Sequence, residues 1–192
     1  MAATDFVFQP VTAERWPDLE RLFGPKGACG GCWCMLNRLS RREVEAGKGD
    51  GNRLAMKALV ESGQVPGLLA YDENDPVGWC SVAPREAFPG LARSRIMKPL
   101  DERPVWSVTC FFIRKTHRNR GLSVALLNAV CDYVRDRGGE LVEGYPVEPK
   151  QDRMADVFAW MGLAETFRSA GFTEVLRRSE TRPIMRREVG KG

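Results

Sequence analysis

Val105-Trp106-Ser107-Val108-Thr109-Cys110-Phe111-Phe112-Ile113 is a β-branched and aromatic run, and it reads as a buried strand. A short basic loop, Arg114 to Arg120, follows it and leads into Arg118-Asn119-Arg120-Gly121-Leu122-Ser123. Beyond that point Leu122, Ala125, Leu126, Ala129 and Tyr133 step by three, one, three and four, the core stripe of an amphipathic helix. A strand that passes through a Gly-containing basic turn into a helix N-terminus builds a site for a pyrophosphate. The amides of the first helical turn have no partner within the helix, and the helix dipole favours negative charge there.

The rest of the chain is organised around that unit. Phe6-Val7-Phe8 reads as a first strand, and Ala13 to Phe23 as a short helix starting near Thr12. Gly24 to Gly31 contains Pro25 and four glycines and is expected to be a loop. Leu54 to Val60 is a second helix closed by Gly63. Gly67 to Tyr71, the turn Glu73-Asn74-Asp75-Pro76 and the returning Val77 to Val82 form a hairpin. Pro84 to Pro104 reads as an irregular excursion before the central strand.

The helix after the basic turn ends at Gly138-Gly139, with Arg135 and Arg137 complementing its dipole. Glu140 to Tyr145 is a further strand, Ala164 to Ala170 lies on a helix capped by Gly171, and Phe172 to Leu176 returns as a strand. The order β-α-α-β-β-β-α-β-α-β predicts an α/β fold, a mixed central sheet with helices on both faces. Neither a repeat nor a long hydrophilic linker divides the 192 residues, so one domain spanning 1–192 is expected, its core about 6–185.

Composition bounds the function. The chain is 43% hydrophobic and 28% charged, an ordinary globular profile that needs no disulfide or metal for support. No run is long enough to span a membrane, and MAATDFVFQP lacks the apolar core of a signal peptide, so a cytoplasmic location is expected. Six cysteines are then expected to be reduced. The net charge of +4, with Arg-rich ends at Arg177-Arg178 and Arg186-Arg187, suits an anionic cofactor and is too diffuse for nucleic acid.

Arg118-Asn119-Arg120-Gly121-Leu122-Ser123 resembles the acyl-CoA-binding signature of the GNAT superfamily of N-acyltransferases, Arg/Gln-x-x-Gly-x-Gly/Ala after a strand, with Ser123 in the last small-residue slot. Ala170-Gly171-Phe172 matches the family's Gly-Phe before its last long strand, and the element order agrees from Phe6 to Met185. The resemblance implies that acetyl-CoA lies with its pantetheine arm along the backbone of Phe111, Phe112 and Ile113, as an added strand would. It also places the diphosphate on the amides of Arg118, Asn119, Arg120, Gly121, Leu122 and Ser123, with Arg118 and Arg120 adding charge.

The implied reaction is acyl transfer to an amine, which needs a base for the ammonium, a donor for the oxyanion and an acid for the departing thiolate. The family's usual tyrosine acid is replaced here by Phe167, and its asparagine seven positions earlier by Trp160. Glu143 and Tyr145 fall on one face at the end of the neighbouring strand; they are the candidate base and acid, against a reading as a salt-bridged strand residue and a ring packed over Pro146. His117, the single histidine, belongs to the basic loop and reads as a surface or phosphate-proximal residue.

Cys29-Gly30-Gly31-Cys32-Trp33-Cys34 holds one C-x-x-C, where a zinc site needs four ligands and a second knuckle, so no metal is expected. Packing around Trp33 is the favoured role, with a reactive pair as the other. The loop falls where the GNAT fold binds its acceptor, which implies substrate contacts from Cys32, Trp33 and Cys34. Trp79 and Trp106 read as core or pocket wall, and Cys80, Cys110 and Cys131, at strand or helix positions, as small buried filling. The chain is therefore expected to be an acetyl-CoA-dependent N-acetyltransferase acting by direct attack in a ternary complex, a monomer or homodimer without nucleic-acid or membrane partners. A non-catalytic acyl-CoA-binding module is the alternative, and a cysteine-based metal or redox protein the third reading.

Overall fold

The computed structural model describes residues 6–149 and 160–190. In chain order the elements are β1 (Val7–Pro10), α1 (Trp16–Phe23), α2 (Arg41–Ala46), α3 (Asp50–Glu61), β2 (Gly67–Asp72), β3 (Asp75–Pro84), α4 (Pro89–Arg93), β4 (Trp106–Ile113), α5 (Leu122–Arg135), β5 (Leu141–Gly144), α6 (Ala164–Ser169), β6 (Thr173–Arg177) and β7 (Pro183–Glu188). The seven strands form one mixed sheet in the order β1-β2-β3-β4-β5-β7-β6, in which only β4 and β5 run parallel.

Strand alternation sends successive side chains to two separate cores. Ala70, Cys80, Val82 and Val108 pack beneath α5, whose Leu122, Leu126, Leu127, Val130 and Val134 are buried. Leu69, Trp79 and Cys110 face the other way and meet Trp16, Leu19 and Phe23 of α1. Each of those leucines and valines contributes about 1.5–3 kcal/mol by leaving water. The mixed sheet covered on both faces is the α/β architecture the element order predicts. None of the described helices is long and apolar enough to cross a membrane.

Three local differences have physical causes. Ser40 opens α2 with a capping box, its Oγ accepting from Glu43 N (3.3 Å) while Glu43 Oε2 accepts from Ser40 N (2.8 Å), a helix for which the sequence reading has no counterpart. Pro89 starts the one-turn α4 inside the expected excursion. The sheet gains β7, whose Arg186 would read as a solvated tail residue but is buried through its partners.

The sheet opens between β4 and β5. Their parallel pairing ends at Val108↔Gly144. On its other side β4 carries a bulge, because Ser81 pairs with Cys110 and Val82 with Val108, leaving Thr109 as the extra residue. A bulge bends its strand, and here the bend coincides with the point where β4 leaves β5. Residues 160–164 cross the gap: Phe111 N donates to Trp160 O (2.7 Å), Val147 N to Gly162 O (2.9 Å) and Ala164 N to Val147 O (2.8 Å).

Candidate functional site

Arg114 N donates to Val77 O (2.9 Å), so Phe112 and Arg114 turn their backbone groups toward β3, while Phe111 and Ile113 turn theirs toward the gap beside β5. In that gap Phe111 N is taken by Trp160 O, and Ile113 O accepts from Arg118 Nε (3.2 Å). The carbonyl of Phe111 and the amide of Ile113 face the same side. Together they form a short strand edge.

The edge runs directly into the turn before α5. Asn119 (φ 58°) and Gly121 (φ 75°) adopt the left-handed conformation, which Asn tolerates and Gly takes without strain. A side-chain carbon built on Gly121 meets nothing within 4 Å, so the approach to the helix N-terminus is open. Ala125 N is the amide that closes back on Gly121 O (3.1 Å), leaving the preceding amides of the first turn directed outward.

A cavity of about 640 Å³ joins these parts, with Phe111, Phe112, Ile113, Arg118 and Ser123 in its wall. Of the remaining expected cofactor residues, Leu122 is buried in the core, so its side chain packs α5 and only its backbone faces the turn. Arg120 lies 3.9 Å from Asp72, whose carboxylate also accepts from His117 Nε2 (3.0 Å); His117 is thereby tied to the β2–β3 turn. The Arg-rich C-terminal segment does not supply the cavity with charge: Arg186 binds Asp101 and Glu143, Arg187 binds Asn128 and Ala170 O, and Arg177 binds Glu148 and Glu174.

The opposite wall comes from the glycine-rich loop and from α6. Ala28, Cys29, Cys32 and Leu36 reach the cavity, as do Trp160, Leu163 and Thr166. Of the three expected acceptor residues only Cys32 lines it. Trp33 is turned inward, stacked on Trp16 (ring centroids 6.0 Å apart) and tilted against Phe23 (5.5 Å), which is the packing role the sequence favoured. Cys34 lies behind the wall, where Trp79 Nε1 donates to its Sγ (3.1 Å) and Cys110 Sγ is 3.0 Å away. Cys110, read from sequence as packing, reaches the cavity itself. The hydrogen bond from Cys34, with burial behind it, raises the Cys32 thiol far above its ordinary range; burial and Cys110 do the same for Cys34. All six cysteines are free thiols, and among the described residues no group of His, Cys, Asp or Glu is placed to hold a metal ion.

Glu143 and Tyr145 do share a face, and Tyr145 OH donates to Glu143 Oε1 (2.5 Å). Neither belongs to the cavity wall. Glu143 is fully buried between two guanidiniums, with Arg85 Nη1 donating to Oε1 (2.5 Å) and Arg186 Nε to Oε2 (2.7 Å). Tyr145 OH also meets Ser107 Oγ (3.0 Å) and Arg85, and burial followed by the Glu143 charge pushes its phenol well above the ordinary range. Glu143 is thus ion-paired, as its alternative reading in the sequence has it, and Tyr145 is hydrogen-bonded into the same cluster. Phe167, at the position of the missing tyrosine, is fully buried edge-on to Phe111 (6.1 Å) and Phe172 (5.0 Å). Its ring fills space that Gly144 and Gly162 leave open, where an added side-chain carbon would stand 2.1 and 2.8 Å from it. An apolar wedge therefore fills this position.

Comparison with known proteins bears on the family and the fold. A family model described as the acetyltransferase (GNAT) family matches residues 33–163. No curated protein matches the chain. Among solved structures it is similar to a GNAT-family acetyltransferase from Listeria monocytogenes, with TM-score 0.59, 10% identity and 98% of each chain covered. It is also similar to the PaiA N-acetyltransferase of Thermoplasma acidophilum in complex with coenzyme A, with TM-score 0.52, 11% identity, and 96% of this chain and 99% of that one covered. The yncA protein of Salmonella typhimurium, solved with acetyl-CoA, has TM-score 0.55 and 14% identity over 97% of this chain and 95% of its own. These likenesses concern the fold, whereas the family match extends over more than half of the chain, from Trp33 to the residue before α6: the protein belongs to the acetyltransferase (GNAT) family.

Proposed function

We propose that this acetyltransferase, acting as one domain, moves an acetyl group from acetyl-CoA to a primary amine by direct attack in a ternary complex. The observation that carries the proposal is the union, in one cavity, of the β4 edge at Phe111 and Ile113 with the α5 N-terminus at Arg118 and Ser123. The residues fit the cofactor. Phe111 O and Ile113 N match the amides of a pantetheine arm, as a strand edge matches an added strand. The amides of Leu122 and Ser123, the dipole of α5 and the Arg118 guanidinium suit a diphosphate. Similar folds solved with CoA and with acetyl-CoA support binding of that cofactor. When bound, acetyl-CoA supplies an activated thioester carbonyl.

The loop thiols favour direct transfer over an acyl-enzyme. Cys32 stays protonated at neutral pH because its thiol is raised, and a thiol is a far weaker nucleophile than a thiolate. Glu143 and Tyr145 act as scaffold, holding the β5 end and Arg85. The amine then sheds its proton to water before attack, since both Glu143 oxygens already accept hydrogen bonds. An amine that titrates like lysine is uncharged in on the order of one molecule in a thousand at pH 7. Turnover with such an amine rises about tenfold per pH unit, and an amine of lower pKa reaches its plateau earlier.

The test is initial-rate kinetics with acetyl-CoA and amines of different pKa, following CoA release and product mass. Intersecting double-reciprocal lines, with a pH midpoint that moves with the amine, are expected. Parallel lines, or a midpoint fixed whatever the amine, overturn the mechanism. Binding of acetyl-CoA without turnover on any amine overturns the enzymatic assignment of the site.

A further inference from the structure

We infer that Cys110, in the wall of the acyl-CoA cavity, and Cys34, behind it, form an oxidisable dithiol, which peroxide closes to a disulfide. Their sulfurs are 3.0 Å apart although the residues are 76 positions apart in sequence. A disulfide needs about 2.05 Å, so closure requires a movement of about 1 Å. The contact is held from both sides. Trp33 (φ 44°), Cys34 (φ 54°) and Asn37 (φ 68°) keep the loop in the left-handed region, which costs a non-glycine residue on the order of 1 kcal/mol each and persists only where the surroundings impose it. Trp79 Nε1 donates to Cys34 Sγ and fixes that sulfur from below.

The two thiols have different access. Cys110 belongs to the cavity wall and is reached from it, whereas Cys34 is almost entirely covered. The chemistry follows that order. The Cys110 sulfur attacks a peroxide oxygen, the O–O bond breaks, one water leaves, and Cys110 becomes a sulfenic acid. The Cys34 sulfur then attacks the Cys110 sulfur, the S–O bond breaks, and a second water carries away the hydroxyl with the Cys34 proton. In sum two thiols are oxidised by two electrons and one hydrogen peroxide is reduced to two waters.

The pair also touches the cofactor edge. Cys110 Sγ is 3.7 Å from Phe111 O, so a chain of contacts runs from Trp79 through Cys34 and Cys110 to the carbonyl that faces the gap. Closing the disulfide removes both S–H groups and ties the acceptor-side loop covalently to β4. A shift of about 1 Å at a positioned site costs on the order of a hundredfold in rate, so turnover falls at least tenfold in the oxidised form.

The test treats the full chain with stoichiometric hydrogen peroxide, with and without saturating CoA, and maps the cysteine peptides by mass spectrometry without reduction. A Cys34–Cys110 cross-linked pair, slower to form with CoA bound and removed by dithiothreitol, is the expected result. Oxidation confined to Cys29 or Cys32, or no cross-link, overturns the proposal. A cross-link that forms equally fast in the CoA-loaded protein overturns the route through the cavity. The cross-link itself is read chemically, so it stands or fails apart from the acetyl-transfer reading, on which the protection by CoA and the loss of turnover rest. Cys34→Ala removes the covered partner, and its melting curve reports folding; a folded variant that is inactivated by peroxide as fast as the parent also refutes the pair.

Discussion

Glu143→Gln separates a catalytic carboxylate from a structural one. The side chain is fully buried, Arg85 and Arg186 beside it are 11% and 9% exposed, and so solvent screens the pairs little. The substitution keeps the shape and removes the charge. It also turns one acceptor into an amide donor facing a guanidinium. Breaking a buried ion pair by neutralising one partner costs about 3–5 kcal/mol. Asp101, 41% exposed, still holds Arg186 through 2.6 and 3.0 Å contacts, which places the expected cost near about 3 kcal/mol. In a chain of this size each kcal/mol lowers Tm by about 2–4 °C, so the variant melts roughly 6–12 °C below the parent. Thermal unfolding followed by circular dichroism, with turnover and CoA affinity measured well below the transition, makes the comparison. The prediction is a large loss of Tm with a pH–rate profile of unchanged shape. A variant that melts with the parent but turns over only at more alkaline pH refutes the scaffold role and returns Glu143 to the proton transfer.

Gly121→Glu combines a left-handed backbone position with an anion at the mouth of the α5 N-terminus, so calorimetry finds acetyl-CoA affinity reduced at least a hundredfold, and unchanged affinity in a folded variant contradicts the diphosphate assignment. Tyr145→Phe leaves Ser107 and Glu143 each short of a hydrogen bond inside the core and lowers stability by about 1–3 kcal/mol, while turnover stays within a few-fold; a loss on the order of a hundredfold at full CoA affinity makes the phenol the acid instead.

The β4–turn–α5 unit was legible because its information is local. A β-branched run, a glycine where the backbone turns left-handed, and a 3.6-residue apolar period each act over a few residues, and the structure keeps all three. What escaped the sequence depends on distant partners. Nothing near Glu143 announces Arg85 or Arg186, which are 58 and 43 residues away. The same pairing hides β7, since Arg186 and Arg187 look like solvent-facing charges until Asp101, Glu143, Asn128 and Ala170 take them up. The glycine-rich cysteine loop was legible as a loop from its glycines, but which of its residues faces the cavity depends on left-handed turns at non-glycine positions. Those turns put Cys32 in the wall and Trp33 and Cys34 behind it. Ser40-Arg41-Arg42-Glu43 carried a legible capping signature for α2, with too few apolar residues around it to register as a helix.

The central claim is that one continuous surface, from the β4 edge to the α5 N-terminus, receives acetyl-CoA. Titrating the isotopically labelled protein with acetyl-CoA and following backbone amide resonances tests it residue by residue. The account predicts saturable shifts at Ile113, at Gly121, Leu122 and Ser123, and at Phe111, whose amide is held by Trp160 in the free protein. Saturable binding that leaves those amides unmoved and shifts others would contradict it.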